Sequence, residues 1–508
     1  MNLSRKRVII VVIGIMFGLF MASMEATVIA TAMPTIVGQL GGLEIYSWTF
    51  SAYMLASTTS VPVFGKLSDI YGRRPIYTVS MILFLVGSAL CGLSETMLQL
   101  VAFRAVQGLG AGGLMPLAFT IVGDLFTLEQ RARMQGVFSG VWGVSSIVGP
   151  LLGGFLVDQV SWPWVFYVNI FPGTIAAVLV WFAWRDLPRD TTAAAPKIDY
   201  LGATLLTVGV VLLLLGLFEL GTSLGWILLG VAAILLAALM WVEQQAADPI
   251  LPLPLFRERL FGSACLHGFL SGWAMFGSIS FVPLFVQSVM GTSATAAGAS
   301  LTPLLLGWVG ASIIGSRLLL RVGYRTLALI GMTLLTLGAF FMSRIEMNAG
   351  QLILTIYMAM MGIGMGLSVP AFLIAVQSTI QRRAMGIATS TLQFTRSIGG
   401  AFGVSVMGLV LSMALTAKMA AAGLDPAVTS VDSLLNPLPG ATNTAIMETL
   451  RALLADAMQN VFVIAFIAAG LGLIATTLAP PGRIAQLVAQ RAEAETVTQP
   501  SPSGASGK

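Results

Sequence analysis

Fourteen apolar runs of roughly twenty residues, each ended by a short polar break, dictate the solvent in which this chain can fold. They fall near residues 8–31, 47–66, 76–93, 98–122, 136–157, 164–184, 200–220, 224–242, 260–288, 299–319, 327–343, 351–376, 385–413 and 458–478. A run of that length spans the hydrocarbon core of a bilayer as a helix, which satisfies its own backbone where no water is present. With 57% of residues hydrophobic and 9% charged, and a mean hydropathy of +0.91, a water-soluble domain is excluded. The chain reads as an all-α polytopic membrane protein. The first run follows Arg5-Lys6-Arg7 as a signal peptide would, but it exceeds a signal core of about 7–15 residues and carries Glu25, so it reads as a retained helix.

The polar breaks set the orientation. Gly65-Lys66-Leu67-Ser68-Asp69-Ile70-Tyr71-Gly72-Arg73-Arg74-Pro75 is the densest polar island of the first hundred residues and belongs at a membrane surface between two spans. Of the 26 Lys and Arg residues, 21 fall on the side of the N-terminus, only Arg344, Lys418 and Arg451 fall opposite, and Arg104 and Arg396 lie within helices. An even span count with this bias places both ends in the cytoplasm. The net charge of +5 is spread singly and forms no patch for nucleic acid. Cys91 and Cys265 lie in apolar runs and are read as packing residues, and the single histidine, His267, excludes a His-rich metal site. No metal or cofactor is expected.

An internal repeat divides the chain. Gly108-Leu109-Gly110-Ala111-Gly112 with Pro116 recurs 254 residues later as Gly362-Ile363-Gly364-Met365-Gly366 with Pro370. Gly149 and Gly153 recur as Gly399 and Gly403 at a spacing of 250, and Gly72 of the island recurs as Gly323 at 251, within Arg317 to Arg325. The first six and last six runs are read as parallel copies around two inserted helices, a 6 + 2 + 6 plan. The expected units are a six-helix bundle over 1–190, linker helices over 191–255, a second bundle over 256–480 with an external loop at 414–457, and a disordered cytoplasmic tail over 481–508 rich in Pro and Ser. Parallel six-helix halves imply a rocking carrier with its substrate between them.

These residues resemble the fourteen-helix drug/proton antiporters of the major facilitator superfamily, over residues 5 to 480. Gly65, Leu67, Asp69, Gly72, Arg73 and Arg74 match the superfamily's loop signature, and Arg104, Gln107 and Gly108 its fourth-helix signature. Ser145, Gly149-Pro150 and Gly153-Gly154 resemble the fifth-helix signature of antiporters, and Glu25, Thr27 and Pro34 the first-helix signature of this branch. Four departures stand out. Glu25 replaces a more usual Asp, Ser145 a Gly, Pro163 an Arg, and Leu320 stands in the second half where Asp69 stands in the first. The resemblance implies a major facilitator fold and proton-coupled efflux of lipophilic or cationic small molecules across the bacterial cytoplasmic membrane. It implies no cofactor beyond the proton gradient and a monomer, or one working with accessory envelope proteins.

Depth gives the residues their roles. At 1.5 Å per residue, Glu25 lies roughly 25 Å from the cytoplasmic start of its helix and Arg104 about 9 Å below the external surface, so the two share a depth. A carboxylate there is costly and marks a proton or substrate pathway; a buried structural pair is the alternative. Asp69 is expected to engage Arg73, Arg74 or a neighbouring helix N-terminus and fasten the cytoplasmic face. Ser145, Gly149 and Gly153 form one smooth ridge, read as a tight contact with the other half or as ordinary small-residue packing, and Pro150 is expected to let the helix bend. Arg396 near the midplane needs a polar cavity or a partner, and His267 reads as a hydrogen-bonded packing residue or a titrating group.

Other classes fit poorly. A lipid-modifying enzyme needs clustered nucleophile, base or metal ligands at membrane depth, and a nucleotide-driven pump needs a G-x-x-x-x-G-K-[ST] loop; the chain has neither. Within the transporter class the alternatives are export of a lipid or a specific metabolite and proton-coupled uptake, which the Gly149-Pro150 signature disfavours; a receptor or scaffold role would leave the buried acid unexplained.

Overall fold

The computed structural model describes residues 4–41, 46–184, 199–246, 251, 253–292, 299–347, 349–381, 384–422, 444–481 and 486. Among them the regular structure is helical. The long helices are α1 (Arg5–Leu40), α2 (Tyr46–Tyr71), α3 (Arg73–Gly92), α4 (Met97–Leu125), α5 (Leu128–Gln159), α6 (Ile170–Ala183) and α7 (Tyr200–Phe218). They continue with α8 (Ser223–Gln245), α9 (Arg259–Leu284), α10 (Thr302–Val322), α11 (Tyr324–Met342), α12 (Gln351–Thr379), α13 (Met385–Ala421) and α14 (Thr444–Thr477). A short turn of helix, Trp164–Tyr167, leads into α6, and α9 ends in a π-turn at Phe285–Val289. Among the described residues twelve helices are long and apolar enough to cross a membrane; α2, rich in Ser and Thr, and α5 are not among them.

The repeat seen in the sequence reappears in the packing. α2 and α3 lie against α4 as α10 and α11 lie against α12, and α1 lies against α5 and α6 as α9 lies against α13 and α14. The copies meet through α5 on α10 and, reciprocally, α2 on α13, and the α7–α8 pair covers the edge formed by α2 and α13. Two glycine landmarks explain why these positions recur. Gly108 and Gly362 each sit where a Cβ would be driven into backbone, that of Tyr53 on α2 and of Leu304 on α10. Gly72 and Gly323 adopt φ of 100° and 94°, the left-handed turns that join α2 to α3 and α10 to α11.

Several boundaries differ from expectation. α14 begins at Thr444 and α13 runs to Ala421, so both ends of the expected external loop 414–457 are helical; residues 423–443 lie outside the described residues. At about 1.5 Å per residue, the 34 residues of α14 exceed a ~30 Å core, so the helix projects beyond it. The run 445–457 continues into the last candidate span, Glu448–Thr477, as one helix without a break. Residues 191–198 of the expected linker and, apart from Pro481 and Gln486, the expected disordered tail also lie outside the described residues.

Replacing Gly362 by Ala is expected to lower the melting temperature measured by size-exclusion chromatography of the detergent-solubilised protein by several degrees, the effect of about 1–3 kcal/mol of overpacking. Gly154→Ala, where a Cβ meets no heavy atom within 4 Å, should melt with the wild type.

Candidate functional site

Four helices and one turn converge on Glu25. The carboxylate is 1% exposed, and its two oxygens are both engaged. Oε1 accepts from Arg104 Nη1 at 2.6 Å, and Oε2 accepts from Asn169 Nδ2 at 2.6 Å. α1 carries the acid, α4 the arginine, and Asn169 caps α6. Arg104 spends its remaining capacity locally. Its Nη1 also donates to Gln107 Oε1 at 2.7 Å, its Nε to the Thr49 carbonyl of α2 at 3.2 Å, and its guanidinium lies 4.1 Å over the Tyr53 ring. Ser88 of α3 ties the rear of the cluster together by accepting from Gln107 and Asn169 and donating to the Phe166 carbonyl. An ion pair this deep persists because both carboxylate oxygens and the Nε and Nη1 of the guanidinium have partners, and removing one partner strands the other. Chemically the cluster can hold or release one proton at Glu25; the buried thiol of Cys91 donates to Gln107 Oε1 at its edge, and among the described residues no metal-binding cluster is found.

The glycine-bounded island forms the second site. Asp69, at the last turn of α2, bonds to Arg73 and accepts the backbone N–H groups of Gly386 at 3.0 Å and Ile387 at 2.8 Å. Those amides are the unsatisfied donors of the first turn of α13, so one carboxylate fastens the two copies through a helix N-terminus. Arg73 Nε reaches Asp124 of α4 at 3.0 Å and its Nη1 donates to Ser68, while Arg74 turns away and lies 4.0 Å over Trp181. Gly65 permits the approach, since a Cβ there would run into Ser390 of α13. A second strap lies beside it. Arg131 of α5 donates to the Gln377 carbonyl of α12 at 3.0 Å, and Gln377 Nε2 donates to the Phe119 carbonyl of α4 at 3.2 Å. Ser139 bonds Ser312 across α5 and α10 at 2.6 Å.

The family model of the Major Facilitator Superfamily matches residues 15–404. The chain belongs to this superfamily. It is 35% identical to the multidrug transporter protein MdtP of Bacillus subtilis (strain 168), over 96% of this chain and 95% of that one. It is 39% identical to multidrug resistance protein 3 of the same organism, over 80% of each. The solved structure of the proton:xylose symporter XylE superposes with a TM-score of 0.60 at 12% identity, covering 92% of this chain and 95% of that one, which carries the fold alone. The protein is thus a multi-pass membrane transporter of a family with multidrug efflux members, and not an enzyme.

The other sequence-expected residues are placed less uniformly. Ser145 donates to the Phe20 carbonyl of α1, so the ridge of Ser145, Gly149 and Gly153 faces α1 within its own copy rather than the other half. The contact across the halves uses the opposite face of α5, where Gly136 meets Ile313 and Gly143 meets Val309. Four-residue spacing establishes that the ridge exists but not which neighbour it meets. Gly154 faces no neighbour, and the Pro150 side chain lies outside the described residues. Arg382 and Arg383, counted in the charge bias, also lie outside them. His267 is buried with its ring 4.6 Å from that of Phe372, and the Cys91 and Cys265 side chains are free thiols. Leu320, the residue in place of a second Asp69, is partly exposed. Asn169, Asp124 and Gln377 carry bonds that sequence reading did not assign. Each is a polar residue within or at the edge of an apolar run, which is the signal that could have found them.

Asp69→Asn is expected to cut transport at least tenfold and to raise the alkylation rate of a cysteine placed at Ser390, read against a background of two buried native thiols. Leu320→Ala should leave both measurements near wild type; equal effects at the two positions would reduce the island to a topological marker.

Proposed function

We propose that this protein is a proton-coupled antiporter that exports lipophilic or cationic drugs and related small molecules by alternating access. It sits in the bacterial cytoplasmic membrane with both ends in the cytoplasm, as the Lys and Arg bias supports. The observation that carries the reading is Glu25, the one described carboxylate buried in the middle of a helix, held by a cation and an amide that can keep the site ordered in either protonation state. The names of MdtP, a multidrug transporter, and of multidrug resistance protein 3 support drugs as the cargo, and resistance fits outward transport.

The span count in this reading is fourteen. α2 and α5 are 26 and 32 residues long, about 39 and 48 Å at 1.5 Å per residue, enough to cross a ~30 Å core. Each lies between two apolar spans in the sequence and packs along neighbours that cross, α2 on α4 and α5 on α1. Their hydroxyl-rich surface is covered by those neighbours rather than by lipid.

The cycle follows from electrostatics. Burial favours a neutral carboxyl and a neighbouring cation favours the ionised one. Protonation of Glu25 cancels its attraction for Arg104, which keeps Gln107 and the Thr49 carbonyl as acceptors and so stays in place. Loss of the proton restores the pair. The bonds of Asp69 and Arg131 across the copies hold the island end shut while the opposite end exchanges protons, and their release opens the cytoplasmic side. No covalent step and no cofactor are required.

In proteoliposomes, Glu25→Gln should abolish uptake of a fluorescent cation such as ethidium driven by a pH gradient, while exchange of labelled for unlabelled ethidium without a gradient persists. Gradient-driven uptake at the wild-type rate would refute proton coupling through Glu25.

A further inference from the structure

The interior of the second copy holds an arginine whose charge the fold does not use. Arg396 lies eleven residues into α13, about 16 Å from the island end of that helix by its rise, near the middle of a ~30 Å core. Its place is fixed by α9. A side chain at Gly272 would strike the Arg396 carbonyl oxygen and come within 3.1 Å of its Cγ, and one at Gly268 would come within 3.9 Å of its Cβ. The residue is only half-buried, and among the described residues no hydrogen bond, ion pair or aromatic face is given to its guanidinium. Arg104, at comparable depth in the first copy, has all three.

Two further polar groups on α9 are also unsatisfied. His267 lies within electrostatic reach of Arg396, is 1% exposed, and its Nε2 is buried without a partner. Trp273, less than two turns further along, has a buried Nε1–H with no acceptor. Its indole packs at 4.8 Å from Phe402 and 6.1 Å from Phe269, which gives the seam an aromatic wall. A buried donor left without an acceptor is destabilising, and so is an unpaired cation at membrane depth. Among the described residues no acid is paired with them. Glu25 is committed to Arg104 and Asn169, and Asp69 and Asp124 to Arg73.

We propose that Arg396, with His267 and Trp273 beside it and Phe269 and Phe402 as an aromatic wall, is a recognition site for the carboxylate of an amphipathic aromatic substrate. Substrates that pair an acid with an aromatic body, zwitterions included, are thereby favoured over their neutralised esters. The guanidinium offers two parallel N–H donors to a carboxylate, a geometry that a lone ammonium or an amide does not reproduce. That the ligand is cargo rests on the export reading above; that it binds does not.

The test uses a matched pair of dyes and purified full-length protein in detergent. Rhodamine B carries a free carboxylate, and its ethyl ester is the same cation without it. Fluorescence anisotropy is expected to show the wild type binding the acid about tenfold tighter than the ester, the equivalent of one charge-assisted hydrogen bond near 1.4 kcal/mol. Arg396→Gln should erase that preference by weakening the acid alone, and Arg396→Lys should keep part of it. Equal affinity for the two dyes in the wild type, no saturable binding of either, or an equal loss for both in Arg396→Lys would overturn the proposal. Should Arg396→Gln fail to elute as a folded species, the wild-type ratio and Arg396→Lys decide. Failure here leaves the Glu25 result untouched, and failure of proton coupling leaves the dye preference standing.

Discussion

The two copies of this bundle are joined at one end by a carboxylate that spends its charge on backbone. Asp69 accepts from the first-turn amides of α13 and is itself held by Arg73, which is held by Asp124. A helix N-terminus offers donors that no intrahelical bond uses, and an acid placed against them neutralises both a dipole end and a buried charge. The arrangement needs Gly65 and Gly386 at the crossing, where side chains would hold the helices apart. Because the bond runs between copies and not within one, it can be broken without unfolding either. A salt bridge to a side chain of α13 would tie the same surfaces, but it would strand a charge on both of them when opened. The backbone amides of Gly386 and Ile387 can turn to water instead.

Glu25 obeys the opposite rule. Each of its partners, Arg104 and Asn169, belongs to the same copy, so a rigid-body movement of the halves leaves the cluster intact. Its occupancy by a proton then becomes a property of the first copy alone. The second copy keeps the helix packing of the first but not its chemistry. Leu320 replaces Asp69, and the charge at mid-depth is the half-buried cation Arg396. The repeat keeps the glycines that set helix separation and does not keep the polar positions.

Axial information was legible in the chain and azimuthal information was not. Counting residues at a fixed rise placed Glu25 and Arg104 at one depth, and they are in contact. The repeat of Gly108 and Gly72 as Gly362 and Gly323 foretold equal helix crossings and equal turns, and both recur. What failed was direction about a helix axis. Arg73 and Arg74 differ by about 100° on α3, and only the first faces Asp69. The Ser145 ridge was real, yet it faces α1. Asn169 could not be paired with Glu25 from sequence, because 144 residues separate them and no spacing rule reaches across a bundle.

One helix connects the two acids. α4 carries Arg104 near its start and Asp124 near its end, twenty residues apart, about 30 Å along a rod that does not compress. Arg104 holds Glu25, and Asp124 holds the arginine that holds Asp69. α4 also takes the Gln377 bond from the second copy at the Phe119 carbonyl. Any tilt or slide of α4 that follows a change of charge at Glu25 therefore reaches both cross-copy fastenings at once, without a chain of small side-chain adjustments between them. A shift of an ångström at Asp124 is enough to pull a 3.0 Å bond beyond hydrogen-bonding distance. Under the proposed exchange of protons for cargo, the mechanical link between Glu25 and the island end is a single secondary-structure element. The close-approach glycines of α4 set its backbone directly against α2 and α3, so the three helices form one tightly packed unit.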